Sequence, residues 1–291
     1  MSITVPELLA RSCRKSPKRA AWLERLPEAI CDLKRRWSLT VEEPFDGMDA
    51  TASWVAPAVL TDGTPAVLKL GMPHMEAEQE IAGLRFWDGN PTVRLIEADE
   101  DLGAMLLERG EPGTLLRMRP EPEQDTVIAG LLRRLWRLPP EPHSFRPLSD
   151  LLAHWGREAR GNAERWLDGG IVREGLRLFT DLPLSAPTKV LLATDLHAGN
   201  VVQAQREPWL VIDPKPFVGD AAYDATQHLL NCEERLRSDP DRTIRHFADL
   251  LDVEHERVRL WLFARTAVAP WAGWEDPASL KFARALAPLG G

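Results

Sequence analysis

Three oxygen-bearing side chains dominate the chemistry of this sequence: Asp195, Asn200 and Asp213. Asp195 opens and Asn200 closes the segment Asp-Leu-His-Ala-Gly-Asn, and Asp213 follows in Trp-Leu-Val-Ile-Asp-Pro-Lys. A carboxylate can accept or orient the proton of an attacking hydroxyl. An amide oxygen and a second carboxylate are hard donors that suit Mg2+. Asp-x4-Asn followed by an aspartate beyond a second strand is the set used to transfer a phosphoryl group from a nucleotide. The apolar runs Val190–Leu192 and Trp209–Ile212 predict two strands of a buried β-hairpin, which would draw the three residues together.

Such a centre needs further parts, and the chain offers them in order. Trp54–Leu60 and Ala66–Leu70 read as strands joined by an Asp62-Gly63 hairpin turn. Lys69 interrupts an apolar strand, and a lysine there is costly unless it meets an anion. The next segment, Glu76–Trp87, reads as a helix with Ala77, Ile81 and Leu84 inward. A glutamate on it can pair with Lys69 and aim the ammonium at nucleotide phosphates. Glu78 is the expected partner, with Glu76 and Glu80 as alternatives. Val93–Glu97 and Gly103–Glu108 form the next strand pair. Its last strand runs into Leu106–Gly110, where the backbone of Leu107, Glu108, Arg109 and Gly110 would meet an adenine edge. Gly47–Ser53 holds one glycine, so it is either a turn with amides facing phosphate or a plain connection.

The rest of the chain reads as helical support. Residues 1–40 carry a broken helical pattern, and Val127–Leu138 forms an amphipathic stripe stopped by Pro139-Pro140. Ser149 is expected to cap the next helix, and Gly169-Gly170 to break it. Asp220–Arg237 reads as one helix, followed by helices at Thr243–Leu251 and His255–Trp271. A length of 291 residues fits two lobes, and a net charge of −8 argues against a nucleic-acid partner. No apolar run approaches the roughly 20 residues that span a bilayer. Met1–Ala10 lacks the pattern of a secretory leader, and the three cysteines show no disulfide or metal spacing, so a cytoplasmic location is expected.

These segments together resemble the aminoglycoside phosphotransferase family, in its streptomycin 6-kinase and hydroxyurea phosphotransferase branch. The resemblance rests on D-L-H-A-G-N (195–200), W-L-V-I-D-P-K (209–215), V-G-D-x-x-Y-D (218–224), V-L-K-L (67–70) and L-L-E-R-G-E-P-G-T (106–114). It implies an α+β, bilobal, protein-kinase-like fold. Residues 1–108 would form a β-rich N-lobe, and residues 109–291 a mainly helical C-lobe carrying the hairpin 190–215. It implies an ATP- and Mg2+-dependent antibiotic-resistance kinase acting on a hydroxyl of a small polar molecule. Asp195 would be the catalytic base, Asn200 and Asp213 the magnesium ligands, Lys69 and Glu78 the phosphate-binding pair, and Leu106–Gly110 the hinge. The family usually carries His-Gly-Asp where this chain has Ala193-Thr194-Asp195, a departure that bears on the substrate. Acidic and aromatic groups of the C-terminal helices, Tyr223, Asp224, Glu233, Glu234, Trp271, Trp274 and Glu275, are candidates to receive ammonium or guanidinium groups. Rival readings are a kinase of another metabolite, such as an amino alcohol or sugar, and a nucleotide-binding pseudokinase that regulates a partner.

Overall fold

The structure is a computed structural model, and it describes residues 3–46, 51–268 and 274–287. The chain starts with helices α1 (Glu7–Cys13) and α2 (Pro17–Arg36) and strands β1 (Thr40–Val41), β2 (Ser53–Val59) and β3 (Pro65–Gly71). Helix α3 (Glu80–Trp87) and strands β4 (Leu95–Asp99) and β5 (Ala104–Glu108) come next. Helices α4 (Glu121–Leu135), α5 (Leu148–Gly161) and α6 (Gly169–Leu184) follow. Then come strands β6 (Lys189–Leu192), β7 (Val201–Gln203), β8 (Trp209–Val211) and β9 (Phe217–Asp220). The chain closes with α7 (Ala221–Asn231), α8 (Glu233–Ser238), α9 (Pro240–Leu251), α10 (His255–Val268) and α11 (Pro277–Leu286).

Two compact units result. The first comprises residues 1–114 and 203–212, and the second residues 115–202 and 213–291. The boundary expected at 108 therefore lies at 114, and a later stretch returns to the first unit. Backbone bonds explain the return. Val211 N–H donates to Pro91 O at 3.0 Å, and Val93 N–H donates to Val211 O at 3.0 Å. Arg206 adds a side-chain clamp, donating to Glu108 and to the carbonyls of Gly89 and Thr92.

The first unit is an antiparallel sheet in the order β1-β2-β3-β5-β4. Side chains alternate across its pleat. Ala56, Ala58, Ala66, Leu68, Leu70, Ala104 and Leu106 share a core with Leu9, Trp22, Leu26, Ile30 and Leu33 of α1 and α2. Lys69 lies between Leu68 and Leu70 in the strand, so it points to the opposite face, in register with Val55 and Met105. The β2–β3 turn forms as the sequence predicts, with Gly63 at φ +87° and Thr64 N–H donating to Asp62 Oδ1 at 2.9 Å.

The predicted pairing of Val190–Leu192 with Trp209–Ile212 does not form. β6 pairs instead with β9, from Lys189 opposite Asp220 to Leu192 opposite Phe217. Both apolar runs are strands, but periodicity says nothing about which partner each takes. Helix ends also differ from expectation. Ser149 lies inside α5, whose N-terminal flank is Pro147. Gly169-Gly170 opens α6, because Asp168 accepts from the Gly170 and Ile171 amides and caps it. The span 220–237 divides into α7 and α8 at Cys232. The segment Glu76–Trp87 splits likewise, into a single 3-10 turn at Met75–Ala77 and α3. No helix among the described residues is long and apolar enough to cross a membrane.

A buried ion network ties α4, α7 and α8. Arg235 donates to both oxygens of Asp125, at 2.6 and 2.8 Å, and His228 Nε2 lies 2.8 Å from Oδ1. Cys232 is also buried beside His228. The guanidinium on both Asp125 oxygens makes this cluster an ion pair and leaves little place for a cation. Burial works to raise the Asp125 carboxyl, but Arg235 and His228 outweigh it and hold it at about 2. A depressed folded-state value stabilises the fold above the unfolded value near 3.8, and the contribution disappears as pH falls through about 2. That difference is worth about 2 kcal/mol. Asp125→Asn should lower the unfolding free energy by about 3 kcal/mol at neutral pH and remove the corresponding decline between about pH 4 and 2. Urea denaturation across that range checks both, and an unchanged midpoint would refute the network's role.

Candidate active site

The loop after β6 is built around one buried carboxylate. Asp220 caps α7, accepting from Ala222 N–H at 3.1 Å, and anchors α10 through Trp261 Nε1 at 2.7 Å. One helical turn later, Asp224 turns its carboxylate to the β6 end. It accepts from Ala193 N–H at 3.0 Å, Thr194 N–H at 2.7 Å and Trp136 Nε1 at 3.0 Å. Asp224 is 1% exposed. Burial pushes its carboxyl up to about 6, against the downward pull of those three donors.

Those bonds hold an unusual backbone. Thr194 has φ +50°, a left-handed value that a β-branched residue rarely adopts. Asp195 N–H donates to Ala193 O at 2.7 Å and closes a three-residue turn around it. Thr194 Oγ1 then donates to Lys215 O at 2.6 Å, while Lys215 N–H donates to Ala193 O at 2.8 Å. These two bonds join the 193–195 turn to the 213–215 segment. The convergence expected of a hairpin is thus achieved by a cross-link between two loops.

Asp195 and Asn200 share the first loop. Asn200 Nδ2 donates to Asp195 O at 2.9 Å, which directs the amide oxygen away from the loop backbone. Between them, Gly199 N–H donates to His197 Nδ1 at 3.1 Å. A Cβ on Gly199 would come within 2.7 Å of the His197 ring, so a larger residue here would have to displace that ring. Asp213, at φ +54°, is ion-paired with the buried ammonium of Lys215. Gln227 of α7 donates from Nε2 to Asp195 Oδ1 at 2.7 Å.

The first unit supplies the other expected pair, with one correction. Lys69 bonds Glu80 Oε1 at 2.5 Å, and both side chains are buried. Glu80 opens α3 and is 1% exposed, while Glu78 is exposed in the irregular turn before it. Of the three glutamates, the one buried against the sheet meets the lysine. In the hinge stretch, Leu107 and Glu108 are still strand. Glu108 N–H donates to Arg94 O at 2.9 Å and its carboxylate binds Arg206, so Glu108 is committed to the sheet. Arg109 and Gly110 lie beyond the strand end. Residues 47–50 of the glycine-containing segment before β2 lie outside the described residues.

The substrate candidates scatter. Tyr223 and Asp224 are core residues, Tyr223 packing edge-on to Trp261 with ring centroids 5.2 Å apart. Trp274 is buried. Glu233 and Glu275 are exposed and paired with Arg237 and Arg165. Glu234 is exposed on α8. Trp271 lies outside the described residues. Residue type alone gave no role to Thr194, Lys215 or Gln227. Thr194 and Lys215 sat inside the 190–215 segment already of interest, and Gln227 did not.

A sheet carrying a buried strand-lysine and helix-glutamate pair, in a chain whose helical part joins an Asp-x4-Asn loop to a second aspartate, defines a protein-kinase-like phosphotransferase. Comparison with known proteins narrows the class. Residues 36–276 match the family described as aminoglycoside/hydroxyurea antibiotic resistance kinase. The chain is 34% identical to streptomycin 6-kinase of Streptomyces glaucescens, over 98% of this chain and 97% of that protein. It is 35% identical to hydroxyurea phosphotransferase of Kitasatospora aureofaciens, over 84% and 72% of the two chains. The fold is similar to that of the choline kinase LicA from Streptococcus pneumoniae, with a TM-score of 0.65 at 13% identity over 90% of this chain and 99% of that one. The chain belongs to the aminoglycoside/hydroxyurea antibiotic resistance kinase family, and it is a small-molecule kinase.

The cross-link at Thr194 is open to test. Thr194→Val keeps the side-chain shape and removes the donor to Lys215 O, so stability should fall by about 1–3 kcal/mol. Thr194→Ser should stay close to wild type. Denaturation midpoints decide, and a valine variant as stable as the parent would show the bond to be dispensable.

Proposed function

We propose that this kinase moves the γ-phosphate of ATP, with Mg2+, to a hydroxyl of an aminoglycoside-like acceptor. The observation that supports the reading is the hydrogen-bonded pair of segments, one carrying Asp195 and Asn200 and the other Asp213. Asp195 accepts the proton of the attacking hydroxyl. Asn200 Oδ1 and the Asp213 carboxylate are hard oxygen donors of the kind that Mg2+ takes. That donor set fits Mg2+, which supplies neutralising charge at the phosphate oxygens. Lys69 binds phosphate oxygens, and Glu80, in place of Glu78, keeps its ammonium extended. The adenine edge falls to the backbone of Arg109 and Gly110, because Glu108 is spent on the sheet.

The relatives support a cationic or strongly polar acceptor. Streptomycin comes first as the acceptor, with hydroxyurea as the second class, since a hydroxyurea phosphotransferase matches equally well in identity. Of the acidic candidates, Glu234 suits contact with such an acceptor, and Glu233 and Glu275 would have to leave their arginines.

A panel of streptomycin, other aminoglycosides, hydroxyurea and amino alcohols, read by ADP release and product mass, identifies the acceptor. Asp195→Asn should lower kcat by about 10²–10⁴-fold with the KM for ATP little changed. A panel in which nothing stimulates ADP release would sink the kinase reading of this chain's acceptor class, and a fully active Asp195→Asn would remove the base.

A further inference from the structure

A buried arginine stands behind the candidate base. Arg265 of α10 is 2% exposed, with its guanidinium carbon 4.9 Å from the Tyr223 ring centroid and 5.9 Å from that of Trp155. Its Nη1 donates to Thr226 Oγ1 at 2.5 Å, and its Nη2 donates to Gln227 Oε1 at 2.6 Å. Thr226 Oγ1 in turn donates to Tyr223 O at 2.5 Å. A guanidinium has five donors and no acceptor. The atom of Gln227 that faces it must therefore be the carbonyl oxygen. The amide nitrogen then faces the other way, where Asp195 Oδ1 receives it at 2.7 Å.

We propose that Gln227 is a positioning residue for Asp195 and that Arg265 sets the direction of its amide. A donor on Oδ1 stops rotation of the carboxylate about its Cβ–Cγ bond and thereby fixes where Oδ2 points. The proton-accepting geometry is then ready before the acceptor arrives. Gln227 does this with a neutral amide. The arginine itself lies one residue farther back, its guanidinium against the Tyr223 and Trp155 rings. This inference rests on the reading of Asp195 as the base.

The isosteric Gln227→Glu separates positioning from packing. It keeps the shape and still accepts from Arg265, but it no longer offers an amide donor to Asp195. Gln227→Met removes the donor without adding charge. Mg-ATP and streptomycin serve as probes, and if streptomycin is not turned over the same measurements are made on Mg-ATP hydrolysis by water, whose attack Asp195 would also orient. We expect melting temperatures within a few degrees of wild type, kcat lowered about 10–100-fold in both variants, and KM for ATP within about twofold. In an Asp195→Asn background, either substitution should add less than a further twofold loss. Wild-type kcat in Gln227→Glu and Gln227→Met, beside an inactive Asp195→Asn, would overturn the positioning role alone. Equal losses from Gln227 substitution with and without Asp195 would overturn it too, by placing its effect elsewhere. An active Asp195→Asn would instead remove the base reading, a different failure.

Discussion

The loop between β6 and β7 depends on the burial of Asp224. Its carboxylate takes three N–H donors, two of them the amides that lead into Asp195. A backbone turn with a β-branched residue at positive φ costs of order 1–3 kcal/mol and persists only where its surroundings over-determine it. Here the surroundings are a carboxylate, a threonine hydroxyl and a carbonyl, each bonded across the turn. Removing the carboxylate would leave two buried amides without acceptors, so loop conformation and Asp224 stand or fall together.

That constraint also explains the motif Val-Gly-Asp-x-x-Tyr-Asp. Its two aspartates are four residues apart, one helical turn, so both project from the same end of α7. The first caps α7 and holds α10; the second holds the loop. The reading of Asp224 and Tyr223 as acceptor-facing groups came from their charge and ring, and burial reverses it. An acidic residue in a helix looks the same in sequence whether its oxygens meet a guanidinium of a substrate or the amides of a neighbouring loop.

Much of the fold was legible because it follows from period. The β2–β3 hairpin, its Asp62-Gly63 turn, the α4 stripe and the strand character of both runs around the loop emerged from alternation, helical spacing and turn chemistry. Chain pairing was not legible, since β6 finds β9 rather than the next apolar run. Nor was the partner of Lys69. Glu76, Glu78 and Glu80 differ only by position along a segment assumed helical throughout. The 3-10 turn breaks the phase, and Glu80, at the start of the regular helix, is the one that becomes buried. Asp195, Asn200 and Asp213 stood out in the sequence because their spacing is itself a pattern of phosphoryl-transfer chemistry. Gln227 was missed because its meaning depends on which of its two amide atoms an arginine 38 residues away will face.

The replacement of the family's His-Gly-Asp by Ala193-Thr194-Asp195 acquires a physical sense from these contacts. Glycine at the middle position reaches positive φ without penalty, and this is the position at φ +50°. Threonine gives up that freedom but brings a hydroxyl, and the hydroxyl bonds Lys215 O in the segment that carries Asp213. Conformational ease is exchanged for a hydrogen bond of 2.6 Å between the loop of Asp195 and the segment of Asp213. The histidine position, Ala193, is fully buried, and its main chain serves both Asp224 and Lys215. The departure therefore falls on groups that hold the loop, while Asp195, Asn200 and Asp213 keep the Asp-x4-Asn and Asp pattern. A chain altered in this way changes which groups hold the loop, through a hydroxyl where glycine has none.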